Sequence, residues 1–112
     1  MSVVVIGVNH RTSPLRVLER VAVGAEAMPK ALHALSSKDN IREAVVLSTC
    51  NRTEVYAVTE KFHAAYDDIA EFFCELGGLH SDELNQHLYS QHDDAAVRHL
   101  FEVACGLDSA VI

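Results

Sequence analysis

Cys50 is the residue with the most chemistry within reach. It stands in the three-residue stretch Thr49-Cys50-Asn51 between two strand-like runs, followed at once by Arg52. Loops held by a rigid scaffold are where reactive groups tend to lie. A guanidinium beside a thiol favours the thiolate, which is the nucleophile, and nearby backbone N–H groups act in the same sense. Position alone is equally compatible with a free cysteine in a turn. Cys74 lies beside an apolar helix stripe and Cys105 one residue before a glycine, so both read as small hydrophobes. His99 flanks the apolar stripe of the last helix, where it either serves as an acid/base group in a cleft or is simply solvated. His10 follows a strand end and either takes part in function or hydrogen-bonds its own loop. His33, His63, His80, His87 and His92 form no i, i+4 pair and have no cysteine at ligand spacing, so no metal site is expected. Glycines at 7, 24, 77, 78 and 106 make no Gly-x-Gly-x-x-Gly, which argues against dinucleotide binding in the Rossmann manner.

These residues need positioning elements. Residues 2–8 are a nearly continuous β-branched run, a strand buried on both faces. Ser13 before Pro14 signals a helix start, with the hydroxyl as cap, and a short helix to about Arg20 follows. A second helix runs from about Ala27 to Ser36, its stripe being Met28, Ala31, Leu32 and Leu35. Ile41 to Ser48 and Arg52 to Thr59 read as two antiparallel strands, with Thr53, Val55, Ala57 and Thr59 on one face. A helix over 64–76 turns Tyr66, Ile69, Ala70 and Phe73 inward and ends at Gly77-Gly78. A helical turn near 82–85 and a short edge strand over 87–90 come next. The last helix begins at Asp93-Asp94 and carries Ala96, Val97, Leu100, Phe101 and Ala104 towards the core, ending at Gly106. The expected fold is α+β: a split β-α-β-β-α-β sandwich with a four-stranded, mainly antiparallel sheet, an extra helix and a C-terminal helix.

The chain has 112 residues, room for one domain, 1–112, or for a piece of a larger protein. Its net charge is −7, distributed as +2 over residues 1–61 and −9 over 62–112. Phosphate contacts need clustered Lys and Arg, so a nucleic-acid partner would have to touch a small area of the first half. No apolar run is long enough for a membrane helix, and the N-terminus has no signal-peptide features. The odd, scattered cysteines suit a reducing cytoplasm rather than a disulfide framework. The apolar end at Val111-Ile112 suggests a cut through a longer chain.

Four segments resemble glutamyl-tRNA reductase. They are Gly7-Val8-Asn9-His10-Arg11-Thr12-Ser13-Pro14, Leu47-Ser48-Thr49-Cys50-Asn51-Arg52-Thr53-Glu54, His99-Leu100-Phe101 and Gly106-Leu107-Asp108-Ser109, of which the second is the most specific. The resemblance covers the N-terminal catalytic domain of that family. It implies that the Cys50 thiolate attacks the ester of glutamyl-tRNA to give a thioester, which NADPH reduces to glutamate-1-semialdehyde at the start of tetrapyrrole (haem and porphyrin) synthesis. It further implies that His99 is important for activity and that Thr49, Asn51, Arg52 and Ser109 contact the substrate, Arg52 being able to grip the glutamate carboxylate in a bidentate pair. By the same resemblance the domains for NADPH binding and for homodimerisation are absent, as is a Gly-Glu-x-Gln-Ile stretch of further substrate contacts. The chain alone is then expected to bind no NADPH and to carry out no reduction, thioester hydrolysis leaving at most weak esterase activity. Leu18 stands where the family usually has an arginine, which takes away an ion pair or substrate contact there. The rival expectation is a regulatory module that binds a partner protein or haem and whose cysteine is incidental, although no Cys-Pro haem signature is present.

Overall fold

A run of β-branched side chains interrupted only by Gly7 stays ordered where both faces of the strand are covered. In the computed structural model, which describes residues 2–104, that run is β1 (Ser2–Asn9), and Val4 to Asn9 are buried. β1 lies between β3 (Arg52–Thr59) and β4 (Tyr89–His92), and β2 (Glu43–Ser48) pairs with the far side of β3. The order is β2-β3-β1-β4, and each neighbouring pair is antiparallel. Four helices and the main core cover one face: α1 (Leu15–Arg20), α2 (Met28–Ser36), α3 (Phe62–Gly77) and α4 (Ser81–Asn85). There Val4, Ile6, Val8, Val55 and Ala57 meet Val17, Leu35, Ile69, Phe73 and Leu84. On the other face a smaller cluster joins Val5 and Tyr56 to Ala96 of α5 (Asp94–Ala104). This is the expected α+β split sandwich with its closing helix.

The register decides which side chains meet beneath α5. Asn9 pairs with Arg52, Gly7 with both Glu54 and Tyr89, and Val5 with both Tyr56 and Gln91. Side chains alternate along a strand, so Arg52, Glu54, Tyr56, Tyr89 and Gln91 share the α5 face. Gly7 lies in the middle of this row. A Cβ there would stand 2.5 Å from the Thr53 carbonyl oxygen and 2.9 Å from the Glu54 Cα and Cγ, so only glycine lets β3 approach with Glu54 in place. Gly78 ends α3 with a φ of 63°, the left-handed cap its residue type allows. Asp93 closes the β4–α5 corner: its N–H donates to the Val3 carbonyl (2.7 Å) and its carboxylate accepts the Val3 N–H (3.2 Å).

Several expectations are corrected. Ser13 does not cap α1. Pro14 itself is the N-cap, with ψ 153°, and the Ser13 hydroxyl donates to the Pro14 carbonyl at 3.0 Å. β4 begins two residues later than composition suggests, because Leu88 packs against the main core and the His87 imidazole lies 3.0 Å from the Thr12 carbonyl. The larger correction concerns α5. Of the stripe expected inside, only Ala96 is buried; Val97 and Leu100 are 44% exposed and Phe101 is 66% exposed. The helix turns Ala96, His99 and Val103 inward instead. Leu18 is buried in the main core, where its side chain packs rather than contacting solvent. Among the described residues no helix is long and apolar enough to cross a membrane. Cys105, Gly106 and Ser109 lie outside the described residues.

Gly7→Ala is expected to lower the unfolding free energy by about 2–3 kcal/mol, since the added methyl meets backbone that cannot rotate away. Urea denaturation checks this as a lower midpoint at unchanged slope. An unmoved midpoint would mean that β1 and β3 separate at no cost.

Candidate active site

The hairpin carrying Cys50 is tied down on both sides. The β2–β3 ladder ends at Ser48 opposite Thr53, and the Thr49 N–H donates to the Arg52 carbonyl at 2.8 Å. The Asn51 N–H reaches the Thr49 hydroxyl at 3.2 Å, and the Asn51 carbonyl accepts the His10 N–H at 2.9 Å. The segment after β1 is itself locked, with the Asn9 carboxamide oxygen accepting the Arg11 and Thr12 N–H groups at 2.8 and 3.0 Å. At the base of the hairpin the Ser48 and Thr53 hydroxyls lie 2.9 Å apart, and Ser48 also accepts the Val23 N–H at 2.8 Å. Cys50 is exposed at this tip, while Thr49 and Asn51 are half-buried.

Below the tip lies a cluster of buried polar groups. Arg52 and Glu54 are both buried; the Arg52 Nη1 donates to the Glu54 Oε2 at 2.9 Å. The His99 Nε2 stands 2.5 Å from the same oxygen, and the Tyr89 hydroxyl donates to it as well. The Tyr56 hydroxyl donates to Oε1 at 2.8 Å. His99 is 11% exposed and its Nε2 is 3.5 Å from the Arg52 Nη1. A cavity of about 240 Å³ lined by Gln91, Ala95, Arg98, His99 and Glu102 borders the imidazole. Burial alone would push the Glu54 carboxyl upward, but hydrogen bonds from Tyr89, His99 and Tyr56, with the nearby His99, hold it below the ordinary 4.5. Tyr89 is pushed well up by burial and by the Glu54 charge and hydrogen bond, so its phenol keeps the proton it donates.

Of the residues singled out from sequence, Arg52 and His99 come together, joined through Glu54. Cys50, Thr49 and Asn51 occupy the exposed hairpin directly before Arg52, and Ser109 falls outside the described residues. His10 is exposed, its backbone holding the hairpin. Cys74 is half-buried, and burial, helped by Glu75 and Glu71, pushes its thiol up. The sequence places Glu54 and Gly7 within motifs but gives neither a role, and it singles out neither Tyr56 nor Tyr89. A usable signal was present: Arg52, Glu54 and Tyr56 alternate along one strand opposite an apolar face, a polar line that a two-layer fold must cover.

Residues 6–112 match the family described as glutamyl-tRNAGlu reductase, N-terminal domain. Glutamyl-tRNA reductase of Frankia alni is 48% identical over all 112 residues, which span 24% of that protein. The Thermobifida fusca glutamyl-tRNA reductase is 45% identical over the same length and share. Among solved structures, glutamyl-tRNA reductase from Methanopyrus kandleri superposes with a TM-score of 0.66 at 30% identity, covering 96% of this chain and 23% of that one. The chain thus spans about a quarter of the length of these relatives.

The lowered carboxyl of Glu54 ties stability to pH. A group ionised more readily when folded stabilises above its unfolded value and ceases to do so as pH falls through the folded one. Glu54→Gln is therefore expected to be less stable than the unsubstituted chain at pH 7. The gap should shrink progressively as pH drops below about 4.5. Denaturant melts of both proteins across pH 7 to 3 check this, and a gap that stays constant would show that the carboxylate charge is not what the cluster uses.

Proposed function

The chain belongs to the family of glutamyl-tRNA reductase N-terminal domains, and on that premise we propose that it performs the acyl-accepting step of such an enzyme. The observation that carries this reading is an exposed thiol, Cys50, on a hairpin fixed by His10 and leading directly into the buried Arg52–Glu54–His99 cluster. In the proposed step the Cys50 thiolate adds to the carbonyl carbon of glutamyl-tRNA. The bond from that carbon to the ribose oxygen breaks, the oxygen takes a proton, and a glutamyl thioester remains on the sulfur. His99 is proposed to move that proton or to place the acyl group, since its ring lies between the cluster and an open cavity. Thr49, Asn51 and Arg52 are proposed as substrate contacts, Arg52 by offering positive charge to the glutamate side chain; Ser109 is proposed as a further one.

Relatives of this name imply NADPH as reductant. The described residues do not fit a dinucleotide: the sheet pairs antiparallel throughout, whereas such cofactors sit at the switch point of a parallel sheet beside a glycine-rich helix start. Reduction of the thioester to glutamate-1-semialdehyde, and hence the entry into tetrapyrrole synthesis, is assigned to the full-length protein and no step of it is derived from this chain. In this proposal residues 1–112 are one catalytic unit of a longer, homodimeric enzyme acting in a reducing cytoplasm, where a free catalytic thiol persists.

Incubation with glutamyl-tRNA radiolabelled in the amino acid, followed by acid quench, should trap label on the protein, released by neutral hydroxylamine as a thioester is. Cys50→Ser should reduce the trapped label by about 10³-fold or more. Label unchanged in Cys50→Ser would remove Cys50 from its role. Separately, iodoacetamide near neutral pH should modify Cys50 at least about tenfold faster than Cys74, whose raised thiol is mostly protonated. Equal, slow rates would favour a cysteine with no catalytic part.

A further inference from the structure

Four donors converge on the Glu54 carboxylate. Oε2 faces the Arg52 Nη1, the His99 Nε2 and the Tyr89 hydroxyl, and Oε1 takes the Tyr56 hydroxyl. The Arg52 guanidinium 2.9 Å away is a fixed cation, and the hydrogen bonds hold the carboxyl below its ordinary value, so Glu54 is ionised at neutral pH and only accepts. Two lone pairs cannot face each other at 2.5 Å, so the His99 Nε2 must carry hydrogen. The longer contact of that nitrogen with Arg52, 3.5 Å, does not compete: a guanidinium has no lone pair to accept with. Once Nε2–H is committed to Glu54, the lone pair of the neutral ring resides on Nδ1.

We propose that Glu54 is a positioning residue that fixes His99 as the Nε2–H tautomer and thereby makes Nδ1 the nitrogen that exchanges a proton with the reacting group. Tyr56 and Tyr89 hold the two carboxylate oxygens from opposite sides. The Tyr89 phenol crosses above Gly7 to reach Oε2, since Tyr89 and Glu54 are the two register partners of that glycine. This arrangement holds a histidine between an acceptor and a cavity, as general bases require. The use made of Nδ1 rests on the acyl-transfer reading above; the tautomer does not.

The test is a long-range nitrogen–proton correlation spectrum of the chain labelled with ¹⁵N in its histidines, recorded at pH 9, where neutral rings dominate. His99 signals are identified by their loss in His99→Gln. The expected result is the Nε2–H pattern for His99, against a mixture of tautomers expected for exposed rings such as His10 and His33. An Nδ1–H pattern, or a mixture like that of the exposed rings, overturns the proposal. In Glu54→Gln the ring should move towards the mixed pattern, and an unchanged pattern there also overturns it. Should that variant fail to fold, the spectrum of the unsubstituted chain decides, and Tyr89→Phe provides the second perturbation, expected to weaken the Nε2–H preference while the other six histidines keep their patterns. An Nε2–H tautomer in a chain that forms no thioester supports the positioning role while removing the acyl-transfer reading.

Discussion

A carboxylate with no exposed surface sets the terms for half of this fold. Taking an ion out of water costs several kcal/mol even after relaxation, and a domain of this size has only about 5–15 kcal/mol of net stability. Glu54 is tolerable where it lies because Arg52, His99, Tyr56 and Tyr89 all donate to it, drawing on three separate elements, β3, β4 and α5. Each donor imposes a constraint of its own. Arg52 and Tyr56 must be two residues away on the same strand, Tyr89 must stand across a glycine, and α5 must present an imidazole. The small edge strand and the last helix are thus held to the sheet by one charge as well as by apolar contact, since among the described residues the apolar cluster on that face has only Val5, Tyr56 and Ala96 fully within it.

The rotation of α5 follows from this. Amphipathic helices ordinarily turn their apolar stripe to the core because burial gains about 25 cal/mol for each Å² removed from water. Here the stripe with Val97, Leu100 and Phe101 stays largely in solvent, and the line Ala96, His99, Val103 at i, i+3, i+7 faces the sheet. Turning the helix to bury Phe101 would withdraw His99 from Glu54. The lost charge-assisted hydrogen bond is worth roughly 1.5–3 kcal/mol, and the carboxylate would keep its desolvation without its partner. The polar term therefore competes on equal footing with the burial of one aromatic side chain, and in this structure it prevails.

What could be read from the sequence divides along the range of the interactions. β1, the β2–β3 hairpin, α2 and α3 declare themselves through local periodicity, and their order leads to the split sandwich because few topologies accommodate it. Cys50, Arg52 and His99 could be singled out as well, from turn position, charge and helix phase. β4 was harder to place: Tyr89, Ser90, Gln91 and His92 have no strong strand character, and their pairing is dictated by β1 rather than by their own composition. The face of α5 was misread because the deciding contact joins residues 45 apart in the chain, and nothing local in either segment betrays it. Tyr56 and Tyr89 were missed for the same reason. A tyrosine in a strand reads as an apolar filler until the acceptor for its hydroxyl is known.

Stability alone does not account for such a cluster. A buried ion pair can often be exchanged for apolar residues of similar volume with no loss, or with a gain, in stability. Leu or Met at positions 52 and 54 would fill the space beneath α5, and the helix could then bury its own apolar stripe. What the apolar exchange could not do is hold an imidazole at a fixed angle next to a cavity. Fixed dipoles and charges that need no rearrangement when a reaction develops charge are the main means by which proteins lower barriers. The strand alternation divides the work economically: Arg52 and Glu54 point under the helix, where charge interactions are strong. Cys50, two residues before the ladder resumes, lies beyond the last pair and stays exposed.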